Sequence, residues 1–311
     1  MKLIFCGTPQ FAVPTLEAVL DAGHNVELVV TQPDRPQGRG LALAAPPVKQ
    51  IAIAHNLPVA QPEKLKTNAK FRESLEGIRP DAILVVAYGR IIPRWMLDLP
   101  PLGNINLHGS LLPKYRGAAP IQWAIASGES VIGATTIRLD DGLDTGDMLL
   151  KSNLPVAPDQ TSVELFPLLA EEGARLMVQT LSQLEAGTIT PIPQDEGHAT
   201  LAPVLKREDG AIDFHRSAEE IFNRWRGFQP WPGAYTTLNG KKLVISRMQL
   251  PEAVPVHTER PGEMLIDQGR WFLACSEGSM FEVTEVQLEG KKRMSAADFL
   301  RGHALKSGEK L

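Results

Sequence analysis

The spacing of hydrophobic and polar residues changes period several times along the chain, and each change marks an element. Residues 1–6 form a short apolar run that predicts a buried strand. Residues 13–22 follow helical spacing until Gly23 stops them, and residues 26–31 give a second strand. A β-α-β opening of this kind predicts a parallel sheet with right-handed crossovers. Residues 48–55 read as a helix, 71–75 as part of another, and 81–87 (DAILVVA) as an almost wholly apolar central strand. Over residues 105–108 the period falls to two. A helix follows over 120–127 with Pro120 in its first turn, then strands over 131–138 and 147–154. A long amphipathic helix over 162–184 opens on Thr161, Ser162 and Glu164 as capping residues.

Residues 1–187 therefore read as one α/β domain with a Rossmann-like parallel sheet. Residues 188–207 hold Pro191, Pro193 and Pro203 with few periodic signals and read as a linker. Beyond it, a short helix over 218–226 precedes short strands with turns at Asn239-Gly240, Asp267-Gln268-Gly269 and Glu289-Gly290. That pattern predicts a smaller all-β unit over 208–311, an OB-like β-barrel.

A length of 311 residues with 43% hydrophobic content is enough to fill such cores. Cys6 and Cys275 lie far apart, so no disulfide framework is expected, and a reducing, cytoplasmic compartment is assigned. The apolar start meets Gly7 and Pro9 too soon for a signal-peptide core, and no run approaches a membrane span, so no membrane association is expected. The net charge of −4 argues against nucleic acid, but the acidic excess lies in the first 205 residues. Residues 206–311 carry a slight excess of Lys and Arg, which permits an RNA-backbone contact without requiring one. No cysteine cluster is available for a metal, and no metal is expected. The first βα turn has one Gly where a dinucleotide fingerprint needs three, so NAD is not expected either.

The alternation at 105–108 sends Asn106 and His108 out of one strand face. One is an uncharged donor, and the other moves protons near neutral pH. A turn from Gly109 through Arg116 and Gly117 follows, at the strand end where open α/β sheets hold their ligands. Some thirty residues on, Asp144 sits in a Gly-punctuated acidic loop from which it could fold back against His108. Taken singly, a strand-end His is more often structural and an Asn beside a turn more often a turn-former. Tyr88 and Gly89 leave the central strand at the same end, either as a strand exit or as backbone offered to a flat heterocycle. Arg35 and Arg39, set among Gly and Pro in the unusually long connection over 32–47, could reach phosphates or stand as solvated charges. Trp231 and Tyr235 could stack on nucleotides or pack between domains.

The run Asn106-x-His108-x-Ser110-Leu111-Leu112-Pro113-x-Tyr115-Arg116-Gly117, followed by Asp144 in a Leu-Asp-Thr-Gly-Asp context, resembles the folate-dependent formyltransferases. The resemblance extends over the full length, from residues 1–9 through 31–36 to the C-terminal part. It implies 10-formyltetrahydrofolate as co-substrate, with Ser110, Leu111, Leu112 and Pro113 as a wall for the tetrahydrofolate and the pterin against Tyr88 and Gly89. The chemistry is then acyl transfer to an amine: Asn106 and His108 stabilise the tetrahedral intermediate and Asp144 assists proton transfer. Ser110 is not read as a nucleophile, because no activating base is indicated beyond the shared His108. The acceptor implied is the methionine amine of initiator methionyl-tRNA, contacted by Arg35, Arg39, Lys206 and Arg207, with the 32–47 connection closing on the acceptor stem. Leu41 to Ala44 stand where lysines are common in the family, which places more of the contact on Arg39. The enzyme is expected to act as a monomer. An amino sugar nucleotide or another small amine is the alternative acceptor. A folate- or RNA-binding module without catalysis is disfavoured by the presence of Asn106, His108 and Asp144 together.

Overall fold

A computed structural model describes residues 1–37, 42–256, 258 and 260–311. It divides into two compact units: Met1–Pro120, Val131–Pro155 and Glu164–Pro203 form the first, and Ile121–Ser130, Val156–Val163 and Val204–Leu311 the second. In chain order the elements begin with β1 (Lys2–Gly7), α1 (Val13–Asp21), β2 (Asn25–Val30), β3 (Arg35–Gln37), β4 (Ala42–Ala44), α2 (Pro47–Ala54) and β5 (Val59–Ala60). Next come α3 (Ala69–Ile78), β6 (Ala82–Val86), α4 (Arg94–Leu97), β7 (Asn104–His108), α5 (Pro120–Ala126), β8 (Val131–Arg138), β9 (Met148–Pro155) and α6 (Ser162–Glu185).

Seven strands form one sheet in the order β5-β2-β1-β6-β7-β8-β9. Pairing is parallel from β5 to β7 and antiparallel at β7-β8 and β8-β9. The sheet is thus mixed: it turns antiparallel at β7-β8, and residues 139–147, too few to cross back over the sheet, return β9 antiparallel to β8. All five residues of β6 are buried, as its unbroken apolar run requires. On one face Ile4, Cys6, Ile83 and Val85 pack with Phe71 and Leu75 of α3 and Met96 of α4. Asn68 caps α3 by accepting from the Phe71 amide at 3.1 Å. On β7, Leu107 meets α6 at Gly173, where a Cβ would come within 2.6 Å of the Leu107 side chain; glycine lets the helix approach.

The unusually long connection over 32–47 carries the β3-β4 hairpin, with Arg35 opposite Ala44 and Pro36 opposite Leu43. Its root is fastened by Lys49, whose ammonium donates to both Asp34 oxygens (2.9 and 2.8 Å) and to Gln61 (2.7 Å). Arg39 and Leu41 lie outside the described residues. Within the stretch expected as a linker, Ile192 exchanges two backbone hydrogen bonds with Met148, each 2.8 Å, and Leu201 bridges to Arg116; residues up to Pro203 belong to the first unit.

The second unit is built from α7 (Ala218–Gly227), β10 (Tyr235–Leu238), β11 (Lys241–Gln249), β12 (Met264–Asp267), β13 (Arg270–Ala274), β14 (Met280–Leu288), β15 (Met294–Ser295) and α8 (Ala296–Gly302). The strands form an antiparallel half-barrel in the order β10-β11-β14-β13-β12, with β15 added to β14. Asn239-Gly240 and Gln268-Gly269 both have positive φ at each residue, which two-residue hairpins of this twist demand. Ser217 and Glu220 cap α7 reciprocally. The core gathers Ile221, Trp225, Leu243, Trp271, Phe281 and Phe299.

Candidate active site

β7 carries Asn104, Asn106 and His108 on one face, and all three are buried. Asn104 serves the fold: its amide donates to the carbonyls of Met96 and Leu97 at the end of α4 (2.9 and 3.1 Å). Asn106 is 8% exposed, and its amide has no hydrogen-bond partner among the described residues. A nearly buried polar group left unspent in this way is costly unless a ligand completes it.

His108 is held from both sides. Its Nε2 lies 2.9 Å from the Tyr115 carbonyl, which only accepts, so Nε2 bears the proton. Nδ1 then faces Asp144 Oδ2 at 3.6 Å. That separation is too long for a good hydrogen bond but within ion-pair reach when the ring is charged. The tautomer is therefore fixed by Tyr115, a backbone group, with Asp144 on the opposite nitrogen. Asp144 Oδ2 also accepts from the Gly117 amide at 2.9 Å. Asp144 itself adopts φ +54, a left-handed conformation that Asp tolerates better than most residues and that concentrates at functional sites. Arg138 at the end of β8 pairs with Ile105, so the loop runs back along β7 to bring this carboxylate to His108.

The turn after β7 is pinned to β8. Thr135, fully buried, donates to the Ser110 carbonyl (2.7 Å) and accepts from the Leu112 amide (3.2 Å); Lys151 donates to the Leu112 carbonyl (2.5 Å). Ser110 donates its hydroxyl proton to the Lys114 carbonyl at 2.7 Å, so its oxygen serves the turn. Leu112 is 1% exposed and packs with Ile137 and Met148, while Leu111 lies over Gly133 of β8 and both Leu111 and Pro113 are partly exposed. Tyr88 likewise points into the core beside Ile4 and Cys6, and its burial raises the phenol above its usual range. Its carbonyl accepts from Thr8 (3.1 Å) and Gln32 (3.2 Å). Gly89, at φ +78, is exposed, and Ile91 beyond it is 92% exposed. β6 and β7 are parallel neighbours, so these residues leave the sheet at the edge where β7 ends. An open apolar side chain and an unspent amide suit a flat, hydrogen-bonding donor molecule.

Arg116, Gln194 and Thr200 were not read from the sequence as functional. Arg116 is 5% exposed and donates to both Glu196 oxygens (2.9 and 2.7 Å) and to Gln194 Oε1 (3.0 and 2.9 Å). The Glu196 carboxylate raises the Arg116 guanidinium further, and Arg116 holds Glu196 below the usual carboxylate range. Thr200 accepts from the Tyr115 amide at 2.8 Å. No periodicity marks these residues; only Arg116's place between Tyr115 and Gly117 could have drawn notice.

Of the remaining residues, Arg35 stands exposed on β3, while Lys206 and Arg207 are exposed in the second unit, where the Lys206 amide donates to Asp209 (2.6 Å). Trp231 is 55% exposed; Tyr235 is covered by the Lys242 ammonium, 3.7 Å from the ring centre. Among the described residues no helix is long and apolar enough to cross a membrane.

The formyl transferase family model matches residues 1–181, and that of the formyl transferase C-terminal domain matches 204–304. The methionyl-tRNA formyltransferase of Acidobacterium capsulatum is 66% identical over 305 residues, covering 98% of this chain and 97% of that protein. That of Koribacter versatilis is 59% identical over 311 residues, covering 100% and 98%. Among solved structures, an N-formyltransferase from Helicobacter canadensis, in complex with folinic acid and dTDP-3-aminofucose, aligns with a TM-score of 0.66 at 18% identity over 91% of this chain and 98% of that one. At that identity the likeness speaks for the fold.

Proposed function

The chain belongs to the methionyl-tRNA formyltransferase family, and from that premise we propose that Asn106, His108 and Asp144 carry out formyl transfer from 10-formyltetrahydrofolate to the methionine amine of initiator methionyl-tRNA. The bound folate supplies an activated formyl carbon. The Asn106 amide donates to the formyl oxygen as it gains negative charge on attack by the amine, a contact of the kind whose loss costs about 3 kcal/mol. His108, doubly protonated, adds positive charge beside that oxygen. Since Nε2 already donates to Tyr115, the proton it hands to the departing folate nitrogen leaves from Nδ1, the side facing Asp144. Asp144 accepts the proton shed by the attacking amine and passes it to the vacated Nδ1 of His108, which restores both charges without a covalent enzyme intermediate.

The pairing of the His108 ring with Asp144 beside an uncommitted Asn106 amide is the observation that carries this reading. Arg35 and Arg39, with Lys206 and Arg207 from the second unit, contact the tRNA backbone in this reading. The enzyme works as a monomer in the cytoplasm; both cysteines are free and buried, and burial pushes the Cys275 thiol up to about 12, consistent with inert structural thiols. The test is formyl transfer from 10-formyltetrahydrofolate to charged initiator tRNA, run beside amino sugar nucleotides. Preference for the sugar would overturn the acceptor assignment.

A further inference from the structure

Two groups that orient the reactive pair flank a single residue. The Tyr115 carbonyl holds His108 and the Gly117 amide holds Asp144, and Arg116 lies between them. The Arg116 side chain reaches Gln194 Oε1 through two N–H groups, and the Gln194 amide nitrogen donates in turn to the Asp144 carbonyl (2.7 Å) and the Gly146 carbonyl (2.8 Å). The contacts close a ring: His108, Tyr115, Arg116, Gln194, Asp144 and back to His108.

Gln194 is the member whose chemistry fits only one way. It faces guanidinium donors on one side and two carbonyl acceptors on the other, so it must accept twice and donate twice. A primary amide does this; a carboxylate of the same shape would oppose both carbonyls, and an apolar side chain would leave four groups unpaired. We infer that Gln194 is a positioning residue that holds Asp144 in its left-handed conformation and so sets its distance from His108. It touches neither substrate in this role and acts through the loop. The inference rests on the catalytic reading of His108 and Asp144 given above.

The test compares Gln194→Glu and Gln194→Met with Asp144→Asn in steady-state kinetics on the full chain, with thermal unfolding as a control and Gln194→Met as the second variant should the carboxylate impair folding. Misplacement of a reacting group by about 1 Å costs on the order of 100-fold. Both Gln194 variants should lower kcat by about 10- to 100-fold while KM for each substrate stays within about threefold. The ring 15N shifts of His108, assigned by their loss in His108→Gln, should also move, which loss of stability alone would not produce in folded protein. If Asp144→Asn is severely impaired while both folded Gln194 variants keep normal kcat and unshifted His108 signals, the positioning role is overturned and the catalytic reading stands. If Asp144→Asn retains the normal rate, there is nothing for Gln194 to position and both fall.

Discussion

Two connections in the first unit contrast in how they are fixed. The turn after β7 and the acidic loop before β9 are held by buried side chains and backbone groups at every step: Thr135 on Ser110 and Leu112, Thr200 on Tyr115, Gly117 on Asp144, Gln194 across the gap. The β3-β4 hairpin is fastened at its root by Lys49, Asp34 and Gln61, while Arg35 and Leu43 stand exposed above it. Groups that must meet to within a fraction of an ångström are over-determined. In the proposed reading the hairpin meets a large, separately folded acceptor and needs only a sound base, because long-range attraction to phosphate tolerates looser placement.

The contrast breaks most sharply at the reactive pair. His108→Gln or Asp144→Asn should lower kcat by about 10²- to 10⁴-fold with the fold intact by circular dichroism, the range expected for loss of a proton-transfer group. Near-normal turnover in either would remove the reason for the tight scaffold. Gly117→Ala comes next. This residue has φ +119, and an added Cβ would lie 2.7 Å from the Ala202 carbonyl, so the loop must move and the amide that holds Asp144 with it. We expect a loss of about 1–3 kcal/mol of stability in denaturant titration together with a 10-fold or greater fall in kcat.

Changes at the hairpin should be milder and of a different kind. Lys49→Met should raise KM for charged tRNA several-fold and leave kcat and the folate KM nearly unchanged; equal effects on both substrates would erase the distinction between the two connections. Hydrogen bonds from Lys49 and Gln61 hold Asp34 below the usual carboxylate range. The sign follows: this fastening is complete above the ordinary Asp value of about 4 and is lost only as pH falls through the lowered one, so acceptor KM should not vary with pH near neutrality on its account. Smallest of all, Arg35→Ala should weaken tRNA binding a few-fold and reduce the slope of log affinity against log salt by about one.

Much of the frame was legible because period and punctuation agree. The strand at residues 131–138 and the hairpin turn at Asn239-Gly240 fall where alternation and turn chemistry put them, and Asn106 and His108 share a face as a two-residue period requires. The partners of those side chains were less legible. The side chains of Tyr88 and Leu112 turn into the core; an apolar side chain next to a buried strand has two faces to choose from, and sequence does not say which. The antiparallel entry of β8 carries no sequence signal, since residues 109–130 are long enough to bring the chain back in either direction. Gln194 could not be found at all: its contacts join residues 50 and 78 positions away, and an amide among prolines carries no periodic trace.

Because β8 runs against β7, the carboxylate and the imidazole are delivered from opposite ends of the same strand. The distance between them then depends on the length of residues 139–147 as well as on the contacts that hold Asp144 in place. One residue added to or removed from that span would detune the reaction while every strand kept its register. This short return path is therefore a stretch whose length the proposed chemistry constrains directly.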